Sequence, residues 1–187
     1  GLHNRLRFYQ KWSQDTQRPQ KLIAAYRVAF KCVNDLAQFS SSLRRAKKLG
    51  IKGAGILLTN DPTEILSSYD SNLIDQLPPI EQSFAKALIG LIETDDNSDE
   101  RRKGVFNAFK SYLDNYATEE PFLLAVELSD WQTFNERDER NKTHELAESL
   151  SADWIISIDV DEILEDRLTA QHFERLMRHP DPLVCSY

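Results

Sequence analysis

With 187 residues, 41% of them apolar and 28% charged, the chain is long enough for one domain with a genuine core and is excluded from the small disulfide-stapled class; Cys32 and Cys185 show no ligand spacing and fit a reducing compartment, read here as the cytoplasm. No stretch approaches the roughly 18 apolar residues of a bilayer crossing, and the first residues do not follow the basic, apolar, small-residue order of a signal peptide. The net charge of −7 divides into 11 Lys and Arg against Asp15 and Asp35 over residues 1–50, and 12 against 28 acidic residues beyond, so an acidic main body excludes nucleic acid as the principal partner.

Residues 5–48 contain no Gly and a single Pro, Pro19. Leu22, Tyr26, Ala29, Phe30, Val33, Leu36 and Ala37 recur at helical spacing, which predicts a basic helical hairpin broken near residues 15–19 and ended by Gly50. Residues 1–49 are therefore expected to be an appendage. Its basic side chains form a solvated helix face or touch a membrane surface or an acidic protein.

The texture changes at Gly50, where a second unit, residues 50–187, is expected to begin. Ala54-Gly55-Ile56-Leu57-Leu58 is an apolar run of buried-strand type, and Asn60-Asp61-Pro62 is a turn with Pro placed to open a helix over 63–77. Pro78-Pro79 closes that unit. Ala87 to Ile92 is a second apolar run, read as a strand, although residues 80–92 serve equally well as a helix. It flows into the polar stretch Glu93 to Glu100. Residues 101–116 read as a helix with Val105, Phe106, Phe109, Tyr112 and Leu113 on one face. Residues 122–126 are a third strand, 136–150 a helix, and Trp154-Ile155-Ile156-Ser157-Ile158 a fourth strand. Strand followed by helix, repeated, predicts an α/β fold with a parallel-type sheet and flanking helices, because parallel strands need crossovers long enough to span the sheet.

Ligands of open parallel sheets bind beyond the carboxyl ends of the strands. The residues there are Thr59-Asn60-Asp61, residues 94–99, Ser129-Asp130 and Asp159-Val160-Asp161-Glu162, and each of these four ends carries at least one carboxylate. Carboxylates gathered at one rim repel unless a cation or protons neutralise them. Mg²⁺ and Mn²⁺ favour such sites, taking one or two carboxylates with the remaining ligands from water and substrate phosphates. With 16 Asp in the chain, about one Asp-x-Asp is expected by chance. Its place directly after a five-residue apolar run is what points Asp159 and Asp161 to a metal and a diphosphate.

The stretches Leu124-Ala125-Val126-Glu127, Trp131-Gln132-Thr133-Phe134, Glu139-Arg140-Asn141, Glu145-Leu146-Ala147 and Ala152 through Leu164 together resemble the central part of family 2-type glycosyltransferases of the GT-A fold. Thr94 to Glu100 is similar to that family's Asp-Asp-x-Ser-x-Asp turn after the second strand, and Ile56 to Pro62 to its first strand and Asn-containing turn. The resemblance implies that Asp161 ligates Mn²⁺ or Mg²⁺, with Asp159 touching the ribose or the metal through water. It also implies that Asp95 or Asp96 meets the nucleobase or ribose, that Arg140 and Asn141 line the nucleotide pocket, and that Thr59 and Asn60 lie beneath the base. Glu162 matches the Asp-x-Asp-Glu subset. The implied activity is transfer of a sugar from a nucleotide-diphosphate donor to an acceptor. The acceptor-activating base is not identifiable, since such a base lies well downstream and only 26 residues follow Asp161; the chain is expected to stop before an acceptor half.

Two other classes compete. A phosphatase of the haloacid-dehalogenase type would use Asp159 as nucleophile and Asp161 as general acid, but Ile163 stands where that family has Thr. A non-catalytic scaffold would use residues 1–48 for assembly and the α/β part as a frame. His144 is expected to be a surface or half-buried side chain, His172 and His179 lack zinc partners, Trp131 and Trp154 read as core or hinge aromatics, and Arg101-Arg102-Lys103 as a solvated basic turn.

Overall fold

The structure is a computed structural model that describes residues 8–10, 20–59, 66, 69–93, 98–117, 121–130, 135–160 and 162–178, with backbone alone at 8–10, 98 and 116–117. The strands are β1 (Phe8–Gln10), β2 (Leu22–Val28), β3 (Gly53–Leu58), β4 (Leu123–Leu128) and β5 (Trp154–Asp159). The helices are α1 (Val33–Lys48), α2 (Ser71–Asp75), α3 (Pro79–Glu93), α4 (Ser98–Ala117), α5 (Glu136–Ser149) and α6 (Ala170–Met177). Among the described residues, no helix is long and apolar enough to cross a membrane.

The strands form one sheet in the order β1-β5-β2-β3-β4. The last four are mutually parallel, and β1 adds to the outer edge of β5 antiparallel, with Phe8 opposite Ile156. The α/β class is therefore as expected. The chain adds β3 and β4 on one side of β2, then crosses back to lay β5 on the other. This is a Rossmann-like order with its reversal between β2 and β5.

Two elements differ from the sequence expectation. The helical hairpin expected over residues 5–48 is not supported: among the described residues of that stretch, Phe8–Gln10 and Leu22–Val28 are strands and Val33–Lys48 alone is helical, while residues 5–7 and 11–19 lie outside the described residues. Leu, Ala and Tyr in the run Leu22–Val28 all tolerate a helix, but a strand between two parallel neighbours is covered on both faces and carries a continuous apolar run without alternation. The boundary expected at Gly50 thus falls between α1 and β3 of one sheet. Gly50, with φ +83°, lets the chain leave α1 in a left-handed turn. The run Ala87 to Ile92, read as a strand, lies inside α3. There Glu81, Phe84, Ala85 and Leu88 form the buried stripe while Ala87 and Gly90 face solvent. Of the helix expected over 63–77, Ser71–Asp75 is helical; most of residues 60–68 lie outside the described residues.

Each face of the sheet has its own cover. Tyr26, Ala54, Ile56, Ile156 and Ile158 point into the main core with α1, α3 and α4. Phe30, Phe39, Phe84 and Phe109 meet there edge-on or tilted, and Phe84 stacks on Tyr112 at 4.7 Å between ring centres. The phenol of Tyr26 is fully buried against the Ser42 hydroxyl at 3.0 Å, and burial raises its pKa. On the opposite face Ile23, Ala25 and Ile155 pack with Ala147 of α5. A Cβ added to Gly55 would stand 2.5 Å from the backbone nitrogen of Ala147, so the missing side chain is what lets α5 lie directly on β3. That close approach carries Glu139 and Arg140, two turns earlier on α5, over the strand ends.

Candidate functional site

β2 and β5 run side by side until Arg27 and Asp159 stand opposite each other in the ladder. Both project on the α5 face, alternating with inward residues as strand geometry requires. Arg27 Nε is 3.7 Å from Asp159 Oδ1, and its Nη1 is 3.8 Å from Glu139 and 4.0 Å from Glu136. From α5, Arg140 Nη2 reaches Asp159 Oδ2 at 3.5 Å and Glu136 at 3.0 Å. α5 begins at Asn135, whose side-chain oxygen accepts from the N–H groups of Arg137 and Asp138 at 3.0 and 3.3 Å. That cap fixes the first turn from which Glu136, Glu139 and Arg140 project at helical spacing.

Asp159 is the last residue of β5 and the chain turns there. Its N–H donates to Glu162 Oε2 at 2.9 Å, and the Glu162 N–H donates back to its carbonyl at 2.9 Å. A cleft of about 430 Å³ opens at this rim, lined by Arg27, Lys31, Asp35, Thr59, Glu139 and Asp159 among others. Thr59 stands just past β3, its N–H on the Val28 carbonyl at 2.8 Å. A second cleft, of about 570 Å³, is lined by Glu136, Arg140, Asn141, His144 and Ser157. There His144 Nε2 lies 2.8 Å from Ser157 Oγ, and the imidazole is half-buried as expected. Both volumes fall within or near the range of small-ligand sites.

Burial raises the pKa of Glu139; Arg27 and the nearby Ser129 hydroxyl oppose that rise and Glu136 reinforces it. Glu139 is 7% exposed, and its buried Oε2 has no hydrogen-bond partner among the described residues. Burial alone would lower the pKa of Arg140, but Glu136, Asp159 and Glu162 outweigh it and the net shift is upward. Four carboxylates thus share the guanidinium groups of Arg27 and Arg140 at one strand edge, with Lys31 and Asp35 also lining the first cleft and Arg137 the second.

Of the residues singled out from the sequence, the fold brings Thr59 and Asp159 into one cleft and Arg140 into contact with Asp159. Asn141 lines the second cleft instead. Asn60, Asp95, Asp96 and Asp161 lie outside the described residues. Asp95 and Asp96 follow a helix rather than a strand, since the second strand expected before them is α3. Arg102, near the start of α4, donates to the Ser129 carbonyl at the end of β4, so it is not the solvated turn residue that was expected. Among the described residues no three His, Cys, Asp or Glu side chains are grouped to hold a metal. Asp159 and Glu162 are nevertheless hard oxygen donors, and Mg²⁺ or Mn²⁺ at a diphosphate needs only one or two protein carboxylates.

Arg27 and Glu139 were not anticipated. Arg27 is the one charged side chain within an otherwise apolar run from Leu22 to Phe30, and Glu136, Glu139 and Arg140 share one helical face; both signals are present in the sequence. Comparison with protein-family models, with curated proteins and with solved structures gave no match.

Proposed function

We propose that the chain is a metal-dependent glycosyltransferase of the family 2 type, or a fragment of one, with a GT-A fold, acting in the cytoplasm on a nucleotide-diphosphate sugar. One observation carries this reading: Asp159, the first carboxylate of the Asp-x-Asp-Glu run, ends its strand at the point where the sheet order reverses, opposite Arg27 and beside Arg140. Ligands of parallel sheets bind at such a reversal. A cleft bearing both guanidinium and carboxylate groups suits a substrate that is itself an anion paired with a cation.

In this reading Asp161 and Asp159 hold Mn²⁺ or Mg²⁺, Thr59 with Asn60 borders the base, Asp95 or Asp96 meets base or ribose, and Arg140 with Asn141 borders the nucleotide. The bound ion supplies Lewis-acid neutralisation of the charge on the departing nucleoside diphosphate. Arg27 and Arg140 orient phosphate oxygens, and the buried Glu139 carboxylate accepts a hydrogen bond from a sugar or ribose hydroxyl.

Thermal unfolding with UDP-, GDP- and dTDP-sugars, each with and without Mn²⁺, tests the reading. A matching donor at about a hundred times its Kd adds about 2.7 kcal/mol. For a domain of this size that raises Tm by roughly 5–10 °C. The rise is expected only with the metal and only with Asp161 intact, so Asp161→Asn abolishes it while the unliganded Tm stays within about 2 °C. Release of inorganic phosphate from a simple ester, without stabilisation by any nucleotide sugar, would instead favour the phosphatase. Indifference to both would favour the scaffold.

A further inference from the structure

The charges of the cleft converge on Arg27. Its guanidinium is shared among Asp159, Glu139 and Glu136 at 3.7, 3.8 and 4.0 Å, all longer than the roughly 2.7–2.9 Å of a charge-assisted hydrogen bond. Backbone pairing fixes where the side chain starts, but no saturated contact fixes where its head ends. The two oxygens of Asp159 face different cations, Oδ1 towards Arg27 and Oδ2 towards Arg140. Beside them the buried Oε2 of Glu139 has no hydrogen bond among the described residues.

This arrangement penalises either ligand when it arrives alone. A divalent ion ligated by Asp159 would sit about 2 Å from oxygens that two guanidinium groups already approach, so like charges would be forced together. A diphosphate drawn to the same guanidinium groups would meet Glu136, Glu139 and Asp159 across the cleft. When both arrive, the ion satisfies Asp159 and the released guanidinium groups satisfy the phosphate oxygens, so each ligand removes the other's penalty. By linkage the gain is equal in both directions.

We propose that Arg27, seconded by Arg140, is an exchange residue: it neutralises Asp159 until a divalent cation takes that carboxylate, and it then passes to the diphosphate, so that cation and diphosphate bind as a coupled pair. This rests on the cation-and-diphosphate reading of the cleft and adds a residue and a binding order to it.

Calorimetric titration of the full chain with MnCl₂, with and without saturating inorganic pyrophosphate and corrected for their association in buffer, reads the coupling directly. The wild-type chain is expected to bind Mn²⁺ at least about tenfold more tightly with pyrophosphate present, as a coupling of about 1.4 kcal/mol requires. Arg27→Gln is expected to bind Mn²⁺ alone about three- to tenfold more tightly and to lose most of the pyrophosphate effect. Arg140→Gln, on the more exposed side of α5, shifts both quantities the same way and serves if Arg27→Gln does not fold. Arg27→Lys retains part of the coupling. Unchanged or weaker Mn²⁺ binding in both Gln variants, or an undiminished pyrophosphate effect, overturns the exchange. If nucleotide sugars with Mn²⁺ stabilise the wild-type chain while the variants keep the coupling, the exchange alone falls. If no nucleotide sugar stabilises it, the donor reading falls, and the pyrophosphate titration still decides the role of Arg27.

Discussion

On the face covered by α1 and α3, Glu81 is 2% exposed and accepts hydrogen bonds from both Ser40 and Arg44. On the face covered by α5, Glu136, Glu139, Asp159 and Glu162 are served by Arg27 and Arg140, largely at separations of 3.5 Å and more. The first set is closely paired around a buried carboxylate and ties two helices together. The second is oversupplied with carboxylates, loosely paired and open to a cleft. A buried ion held by near partners is costly to break, whereas loosely served ions at a sheet's reversal point are the feature on which the proposed donor site rests.

Breaking the first set should have the largest effect on stability. Arg44→Ala strips a cationic partner from a buried carboxylate, and because Arg44 is itself half exposed the loss is expected near the lower end for such changes, about 3 kcal/mol. Calorimetry should show a Tm lower by roughly 6–12 °C, with the coupling of Mn²⁺ to pyrophosphate intact. The same coupling lost in Arg44→Ala would erase the distinction between the two sets.

A smaller effect on stability, joined to one on binding, is expected from Gly55→Ala. Its new Cβ would meet the backbone of α5 at 2.5 Å, and overpacking of this kind costs about 1–3 kcal/mol. Because α5 must withdraw and takes Glu139 and Arg140 with it, metal-dependent stabilisation by the donor should weaken as well. Unaltered donor binding would show that the site does not depend on how closely α5 lies against the sheet.

The smallest effect is one of slope. Burial raises the pKa of Glu139 above its ordinary 4.5, so the folded chain keeps this proton over a range where the unfolded chain has released it. The contribution is complete below that ordinary value and is lost as pH rises through the folded one. Glu139→Gln removes the titration. The urea midpoint of the variant, taken relative to the wild-type chain, should therefore rise as pH increases from 4. A constant difference between the two chains across that range would show that the carboxylate is as well solvated in the folded chain as in the unfolded one.

How far the sequence could be read followed the same division between local and tertiary causes. Helix 136–150 and strand 154–158 agree with Glu136–Ser149 and Trp154–Asp159 to a residue, because a capping Asn, a charged periodic face and a bounded apolar run are local signals. β2 was misread because its identity comes from two neighbours far away in the chain, which bury both of its faces and erase the alternation that marks a strand. The site divides in the same way. Position after an apolar run singles out Asp159 and Thr59, which the fold places in one cleft, whereas Arg140, which stands beside Asp159, is singled out only by the family resemblance. Arg27 required knowledge that β2 and β5 are adjacent. The burial of Glu139 is created by the contact of α5 at Gly55, which no pattern within α5 announces.

The pairing of Leu22 with Trp154, against that of Ala24 with Ala54 on the other side of the same strand, has a kinetic corollary. Contacts between such remote segments slow folding, because the intervening chain must be ordered before they form. During synthesis β2 can acquire β3 early, but its other edge stays unpaired until some 130 further residues have left the ribosome, and an unpaired edge is a template for wrong association. The gap between β2 and β5, where Arg27 meets Asp159, is thus closed only after β3 and β4 have been made.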